Sequence, residues 1–270
     1  MLRRKKNFLS IRSFAKLNLF LKVLNKREDG YHNIFSLVVK VSIADTIYFE
    51  LLPSLNRVEL FTNHHELPTD ESNTIKQAVL LFKELFSINS GIRIFLHKRI
   101  PVGSGMGGES SNAAYTILAL KELFGVNINQ EELFKIGEKI GSDVNFFLNG
   151  EAAIISGRGE YILPLKLTKR LWFVLVFQEF GISTKEAYSK IDKVNTLPEK
   201  KLCILHNDLD FYQTETQMLK EKLLKLGCIA AGITGSGPTI VGMCQNMQAA
   251  KLISSTLKME GIKSTITSTL

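Results

Sequence analysis

Three cysteines in 270 residues, Cys203, Cys228 and Cys244, are too few and too scattered for a disulfide framework. They form no close ligand pair for zinc either, and they read as reduced thiols. No apolar run reaches the length of a membrane span. The first residues, MLRRKKNFLSIRSF, are basic but carry too short an apolar stretch for a signal peptide, so a cytoplasmic protein is expected. Repeats and low-complexity linkers are missing. Outside Arg3 to Lys6 and Lys200-Lys201 the basic residues are spread along the chain. No Arg-rich run interleaves with aromatics as a nucleic-acid surface would require.

What remains is the composition of a globular enzyme: 45% hydrophobic and 22% charged residues. The chain is long enough for one large domain or two modest ones, each with its own core. A formal net charge of +8 suits nucleic acid, an anionic membrane or a phosphate-rich small substrate, and does not choose among them.

Residues 14–24 (FAKLNLFLKVL) alternate, with Ala15, Leu17, Leu19, Leu21 and Val23 on one face and Phe14, Lys16, Asn18, Phe20 and Lys22 on the other. The pattern predicts a strand with one buried face, and it sets Lys16 beside Asn18. REDGYH (27–32) carries an Asp-Gly turn, and IFSLVVKVSI begins the returning strand of a hairpin. A helix is expected over 73–86 with Ser72 or Asn73 as its cap, then a strand over 92–97. A loop follows, leading into a helix that stops near Gly125. Asn129 and Glu132 resemble a capping pair for a helix through Ile140. From about residue 171 the pattern starts afresh. A strand LWFVLVF precedes a helix STKEAYSKI capped by Ser183 and Glu186. A helix at 214–226, strands at 228–233 and 239–244, a helix at 247–258 and a strand at 262–268 complete it. Two sets of mixed strands and helices predict two α+β lobes.

The central signal is PVGSGMGGESSNAA (101–114), a glycine-rich loop between a strand and a helix. Glycines let the backbone approach a ligand, and free N–H groups at a helix start face an anion, so the arrangement suits a di- or triphosphate. Gly103, Gly105 and Gly108 satisfy G-x-G-x-x-G, but the acidic residue ending a second strand some 20 positions later is replaced by GVNINQEEL. The ATPase P-loop needs Lys-[Ser/Thr] after its last glycine, and here Glu109-Ser110 stands there. A second glycine turn, TGSGPT (234–239), reads on its own as a hairpin connection.

PVGSGMGGESSNAA, GSDVNFF and TGSGPT, in that order, resemble the GHMP kinase superfamily. AKLNLFLKVLNKREDGYHNI (15–34) is similar to the N-terminal signature of its 4-diphosphocytidyl-2-C-methyl-erythritol kinases. The motifs cover nearly the whole chain. The resemblance implies a two-lobed α+β fold. An S5-like N-terminal ATP-binding domain would span residues 1–165, and a ferredoxin-like C-terminal domain residues 166–270. It implies ATP-dependent phosphorylation of the 2-hydroxyl of a cytidine diphosphate-linked polyol in the non-mevalonate isoprenoid pathway. ATP and Mg2+ would be needed. The implied protein is a monomer or weak homodimer without nucleic-acid or membrane partners.

Carried over residue by residue, Lys16 matches the family's catalytic lysine and Asp143 its catalytic base. Pro101, Val102, Gly103, Ser104, Gly105, Met106, Gly107, Gly108, Glu109, Ser110 and Ser111 match the ATP-phosphate loop, and Asn73 an asparagine near the adenine. Asn18 matches a substrate-side polar contact. Tyr31 and His32 match residues that hold the cytosine, Tyr31 offering a ring face and His32 an edge contact. Thr184 and Tyr188 match residues enclosing the cytidine. Three positions depart from the pattern. Ser104 stands where alanine is commoner, Glu109 where glycine is, and Gln178 about where a proline is. Glu109 would repel bound phosphates unless it points away or shares a magnesium ion.

In the chemistry implied, loop amides and magnesium hold the phosphates, Asp143 accepts the hydroxyl proton and Lys16 stabilises the developing charge. Taken singly, each residue has a plainer reading. Lys16 could be a solvated strand lysine, Asp143 a turn cap, and Tyr31 and His32 ordinary hairpin residues. The same plain reading is adopted for His64, His65, His97, His206 and the cysteines. Rival readings are another kinase of the superfamily, an RNA-binding protein predicted to show a basic stripe with exposed aromatics, and a kinase fold that binds ligand without turnover.

Overall fold

Alternation, caps and turns carry most of the local structure in this computed structural model, which describes residues 2–5, 7–178, 184–193, 203–211 and 214–270, apart from the side chains of residues 184 and 185. The chain divides into two units. One comprises Met1–Ala15, Ile43–Pro101 and Gly107–Gly150, the other Lys16–Ser42, Val102–Met106 and Glu151–Leu270.

In the first unit β1 (Leu2–Lys5) pairs antiparallel with the start of β2 (Phe8–Lys26), Leu2 opposite Ile11 and Lys5 opposite Phe8. The later part of β3 (His32–Leu52) pairs antiparallel with β5, described below, and β4 (Val58–Thr62) is parallel to that same strand. Helix α1 (Thr74–Leu85) begins where Asn73 accepts a hydrogen bond from the Ile75 amide, as the cap pattern predicts. Strand β5 (Gly91–His97) leads to α2 (Gly108–Phe124), closed by the left-handed Gly125. Helix α3 (Gln130–Glu138) has the complete Asn129–Glu132 capping box, and ends two residues before the expected Ile140. SDVNFF contributes a short helix, α4 (Val144–Leu148), which packs on α2. Leu9, Ile11, Ile47, Phe49, Ile92 and Ile94 line the buried side of the strands, and Ile75, Val79, Phe82, Ile117 and Leu120 the buried sides of α1 and α2.

In the second unit β6 (Ala152–Gly157) pairs with the early part of β3, and β7 (Tyr161–Leu165) pairs with β6. Then come β8 (Trp172–Val176), α5 (Thr184–Ile191), the two-residue β9 (His206–Asn207, parallel to β2), α6 (Glu215–Lys225), β10 (Ala230–Ile233), β11 (Ile240–Cys244), α7 (Met247–Met259) and β12 (Ser264–Ser268). The last sheet is antiparallel in the order β10-β11-β8-β12, with α6 and α7 packed on it. Apart from the small α5 and β9, the path is β-α-β-β-α-β with the first and third strands central. That is the ferredoxin-like arrangement. Val174, Val176, Leu223, Ile233, Ile240, Ile253 and Leu257 form its core.

Three expectations need correction. The strand around Lys16 has two buried faces, because the TGSGPT turn covers the polar one: Lys16 is 8% and Asn18 4% exposed. Strands β1, β4, β6 and β7 were not anticipated. The cysteines are not all apart, since β10–β11 pairing brings Cys228 Sγ within 3.9 Å of Cys244 Sγ in the core, both as free thiols.

Candidate active site

Loop residues 102–106 are partly buried and partly exposed. Ser104 and Met106 are buried, while Val102 and Gly103 are exposed. The loop lies backbone to backbone on the TGSGPT turn of the same unit. A β-carbon on Gly105 would stand 2.7 Å from the Gly237 amide nitrogen and closer still to the Thr234 carbonyl, with φ at +76°. The two glycine motifs are therefore one packed element, and TGSGPT is more than the hairpin connection between β10 and β11.

Asn18 holds this element to β2. Its Oδ1 accepts from Lys16 Nζ (2.7 Å), the Gly235 amide (3.1 Å) and Thr234 Oγ1 (3.3 Å). Its Nδ2 donates to Ser36 Oγ (2.8 Å), and its backbone amide to Thr234 Oγ1 (3.0 Å). The Lys16 amide donates to the Met106 carbonyl at 2.9 Å, which sets the lysine at the root of the loop. Asn207 holds the turn from β9 by donating to the Ile233 and Gly235 carbonyls. Alternation places Lys16 beside Asn18, but nothing in the sequence signals the bonds from Asn18 to Ser36, Thr234 and Gly235.

In the first unit, α2 starts at Gly108 without a side-chain cap. Its unsatisfied amides and positive dipole end suit an anion. Ser111 turns inward: its hydroxyl donates to the Phe14 carbonyl (2.6 Å) and accepts from Ser13 Oγ (2.7 Å). Glu109 is exposed in the first turn, and Thr74 Oγ1 donates to its carbonyl. The turn before α4 lies against this helix start, with Ser110 Oγ 4.0 Å from where a Gly141 β-carbon would be. Asp143 stands two residues on, half-buried at the N-cap of α4, and makes no cap hydrogen bond there. Asn73 spends its amide locally, capping α1 and donating to the Pro68 carbonyl.

A buried pair beside the start of α2 was not foreseen. Lys98 Nζ donates to Asp45 Oδ2 at 2.7 Å, with the two side chains 3% and 0% exposed. Burial pushes the ammonium down from its ordinary value, while Asp45 and then Glu109 pull it back up.

Near the hairpin, His32 is buried and its ring stacks on Tyr188, with centroids 5.2 Å apart and planes at 21°. Its Nε2 lies 2.9 Å from Asp192 Oδ1. The Lys26 hydrogen bond, with help from His32, holds Asp192 below the ordinary carboxylate value. Tyr31 is 58% exposed and stands apart from that stack, with the Arg158 guanidinium 5.3 Å from its ring centroid. Ser183 and the Thr184 side chain lie outside the described residues. Gln178, where the family pattern has proline, accepts from Thr216 Oγ1 at 2.9 Å.

Two family descriptions match the chain: GHMP kinases N terminal domain over residues 73–151 and GHMP kinases C terminal over residues 201–262. The 4-diphosphocytidyl-2-C-methyl-D-erythritol kinase of Clostridium tetani is 36% identical over 254 residues, covering 87% of this chain and 90% of that one. The kinase of the same name from Thermoanaerobacter pseudethanolicus is 35% identical over 260 residues, covering 89% of each. The chain belongs to the 4-diphosphocytidyl-2-C-methyl-D-erythritol kinase family. A crystal structure of 4-(cytidine 5'-diphospho)-2C-methyl-D-erythritol kinase superposes with a TM-score of 0.80 at 27% identity, covering 96% of this chain and 98% of that one. The chain is thus a kinase that uses ATP. Its N-terminal family match takes in the glycine loop and Asp143, and its C-terminal match takes in TGSGPT. No helix among the described residues is long and apolar enough to cross a membrane.

Proposed function

We propose that this chain transfers the γ-phosphoryl group of ATP to the 2-hydroxyl of 4-diphosphocytidyl-2-C-methyl-D-erythritol in the non-mevalonate route to isoprenoid precursors. The observation that carries the reading is the start of α2. It is uncapped, it has the Lys98 ammonium beside it, and the turn bearing Asp143 lies against it.

Phosphoryl transfer asks a protein mainly to position oxygens and compensate charge. The loop and the first amides of α2 bind the ATP phosphates, and Asp143 accepts the proton of the attacking hydroxyl. Lys16, oriented by Asn18, stabilises the charge passing to the phosphoryl oxygens. Tyr31 and His32 hold the cytosine, and Tyr188 helps to enclose the cytidine. Thr184 completes the cytidine wall, and Asn73 lies near the adenine. Magnesium would arrive with the ATP phosphates. Glu109 is the loop carboxylate that would hold it, and the ion would supply charge neutralisation at the phosphates. The N- and C-terminal domains divide between residues 165 and 166, and the enzyme works in the cytoplasm as a monomer or weak homodimer.

The test is ADP release by purified protein with Mg-ATP and the cytidine substrate, beside homoserine and mevalonate. Release is expected with the cytidine substrate alone, and Asp143→Ala should lower it by about 10²–10⁴-fold, as loss of a general base does. Silence with that substrate, or an equal rate with another acceptor, overturns the assignment.

A further inference from the structure

Asp45 is fully buried, yet it meets four donors. They are Lys98 Nζ (2.7 Å), the Arg99 amide (2.7 Å), the Ile100 amide (2.8 Å) and Asn112 Nδ2 (2.9 Å). Three of the four belong to the segment entering the glycine loop, and the fourth to the first turns of the helix leaving it. Asn112 also donates to Ser13 Oγ (3.0 Å). One carboxylate therefore ties both ends of the loop, within a single unit of the fold.

The position of Lys98 is costly on general grounds. Its ammonium is buried, and it sits so close to the start of α2 that a β-carbon on Gly108 would be 2.9 Å from Nζ. A cation there meets the positive end of the helix dipole. A buried ion pair is rarely kept for stability, since apolar replacements do as well. The cost is understandable if an anion binds at that helix start, because cation and dipole then act on it together.

We propose that Asp45 is a positioning residue of the ATP-phosphate loop, fixing the loop's entry through the Arg99 and Ile100 amides and holding Lys98 at the start of α2. The inference rests on reading that loop as the ATP-phosphate site. It does not depend on which alcohol is phosphorylated.

The test measures ATP binding directly by calorimetry, alongside steady-state kinetics, for Asp45→Asn, Lys98→Met and the double variant. Asp45→Asn keeps the side-chain shape but removes the charge and turns an amide toward donors. It should weaken ATP binding roughly 10- to 100-fold, as loss of a charged hydrogen bond does. KM for ATP should rise in parallel, with KM for the cytidine substrate within about twofold of wild type. Lys98→Met should show a similar loss, and the double variant should lose less than the product of the two, as residues acting through one another do. The proposal is overturned if folded Asp45→Asn binds ATP like wild type, if both KM values and kcat shift together, or if the two losses multiply. Should Asp45→Asn not fold, Lys98→Met decides: weakened ATP binding supports the proposal and unchanged binding overturns it. Wild type that binds ATP without phosphorylating the cytidine substrate would refute the substrate assignment and leave this test intact.

Discussion

Gly105→Ala should be far more harmful than Gly103→Ala, although both glycines stand in the same loop at almost the same backbone angles. Gly103 has φ +67° and Gly105 φ +76°, so each alanine carries a left-handed penalty of about 1–2 kcal/mol. At Gly103 a β-carbon meets nothing within 4 Å, and the penalty ends there. At Gly105 it would strike the Thr234 carbonyl and the backbone of Gly237. Neither group can move like the end of a flexible side chain, and overpacking of that kind adds about 1–3 kcal/mol. The totals are about 1–2 kcal/mol for Gly103→Ala and 2–5 kcal/mol for Gly105→Ala. At roughly 3 °C per kcal/mol for a chain of this size, Tm should fall by about 3–6 °C and 6–15 °C respectively. Thermal unfolding followed by circular dichroism reads both. Because Thr234 also bonds Asn18, which holds Lys16, Gly105→Ala should lower kcat as well. Equal losses in the two variants would refute the claim that the two glycine motifs are pressed together.

Burial brings the Lys40 ammonium down to about 8 from its ordinary 10.5, against the attraction of Glu151. Below pH 8 folded and unfolded chains both carry that proton. Between 8 and 10.5 only the unfolded chain keeps it, so stability rises with pH there by up to roughly 3 kcal/mol. Lys40→Met should therefore raise stability at pH 7 and remove that part of the rise. Urea titrations of both proteins at pH 7 and pH 10 check it, and parallel behaviour would contradict it. Tyr188→Ala removes the ring on which His32 lies, and a stack of that kind is worth about 0.5–1.5 kcal/mol. KM for the cytidine substrate should rise roughly 2- to 10-fold with KM for ATP unchanged, and an ATP-side effect instead would argue against the cytosine role.

Where a signal is local, residue types alone locate the structure. Asn73 caps α1, Asn129 and Glu132 box α3, and Gly125 ends α2, because each device needs only residues within one turn. Strands β1, β4, β6 and β7 escape such reading because runs of four to six residues, most of them partly or fully exposed, have no period long enough to register. Cys228 and Cys244 meet through strand register, to which a count of cysteines is blind.

The site divides along the same line. Motif order marks the loop, Lys16 and Asp143 as candidates, since each lies inside a short stretch that carries the family resemblance. What orients them does not: Asn18 works through Thr234 and Gly235, more than 200 positions away. Asp45 meets Lys98 across 53 positions. One trace of that pair was open to reading, for Asp45 interrupts the apolar alternation of VSIADTIYF with a charge that a strand interior cannot bury alone. A charge at such a position requires a partner. Here the donors are Lys98, the residues that enter the glycine loop and Asn112 of the helix that leaves it, so the cost of burying Asp45 is met by the segments on either side of that loop.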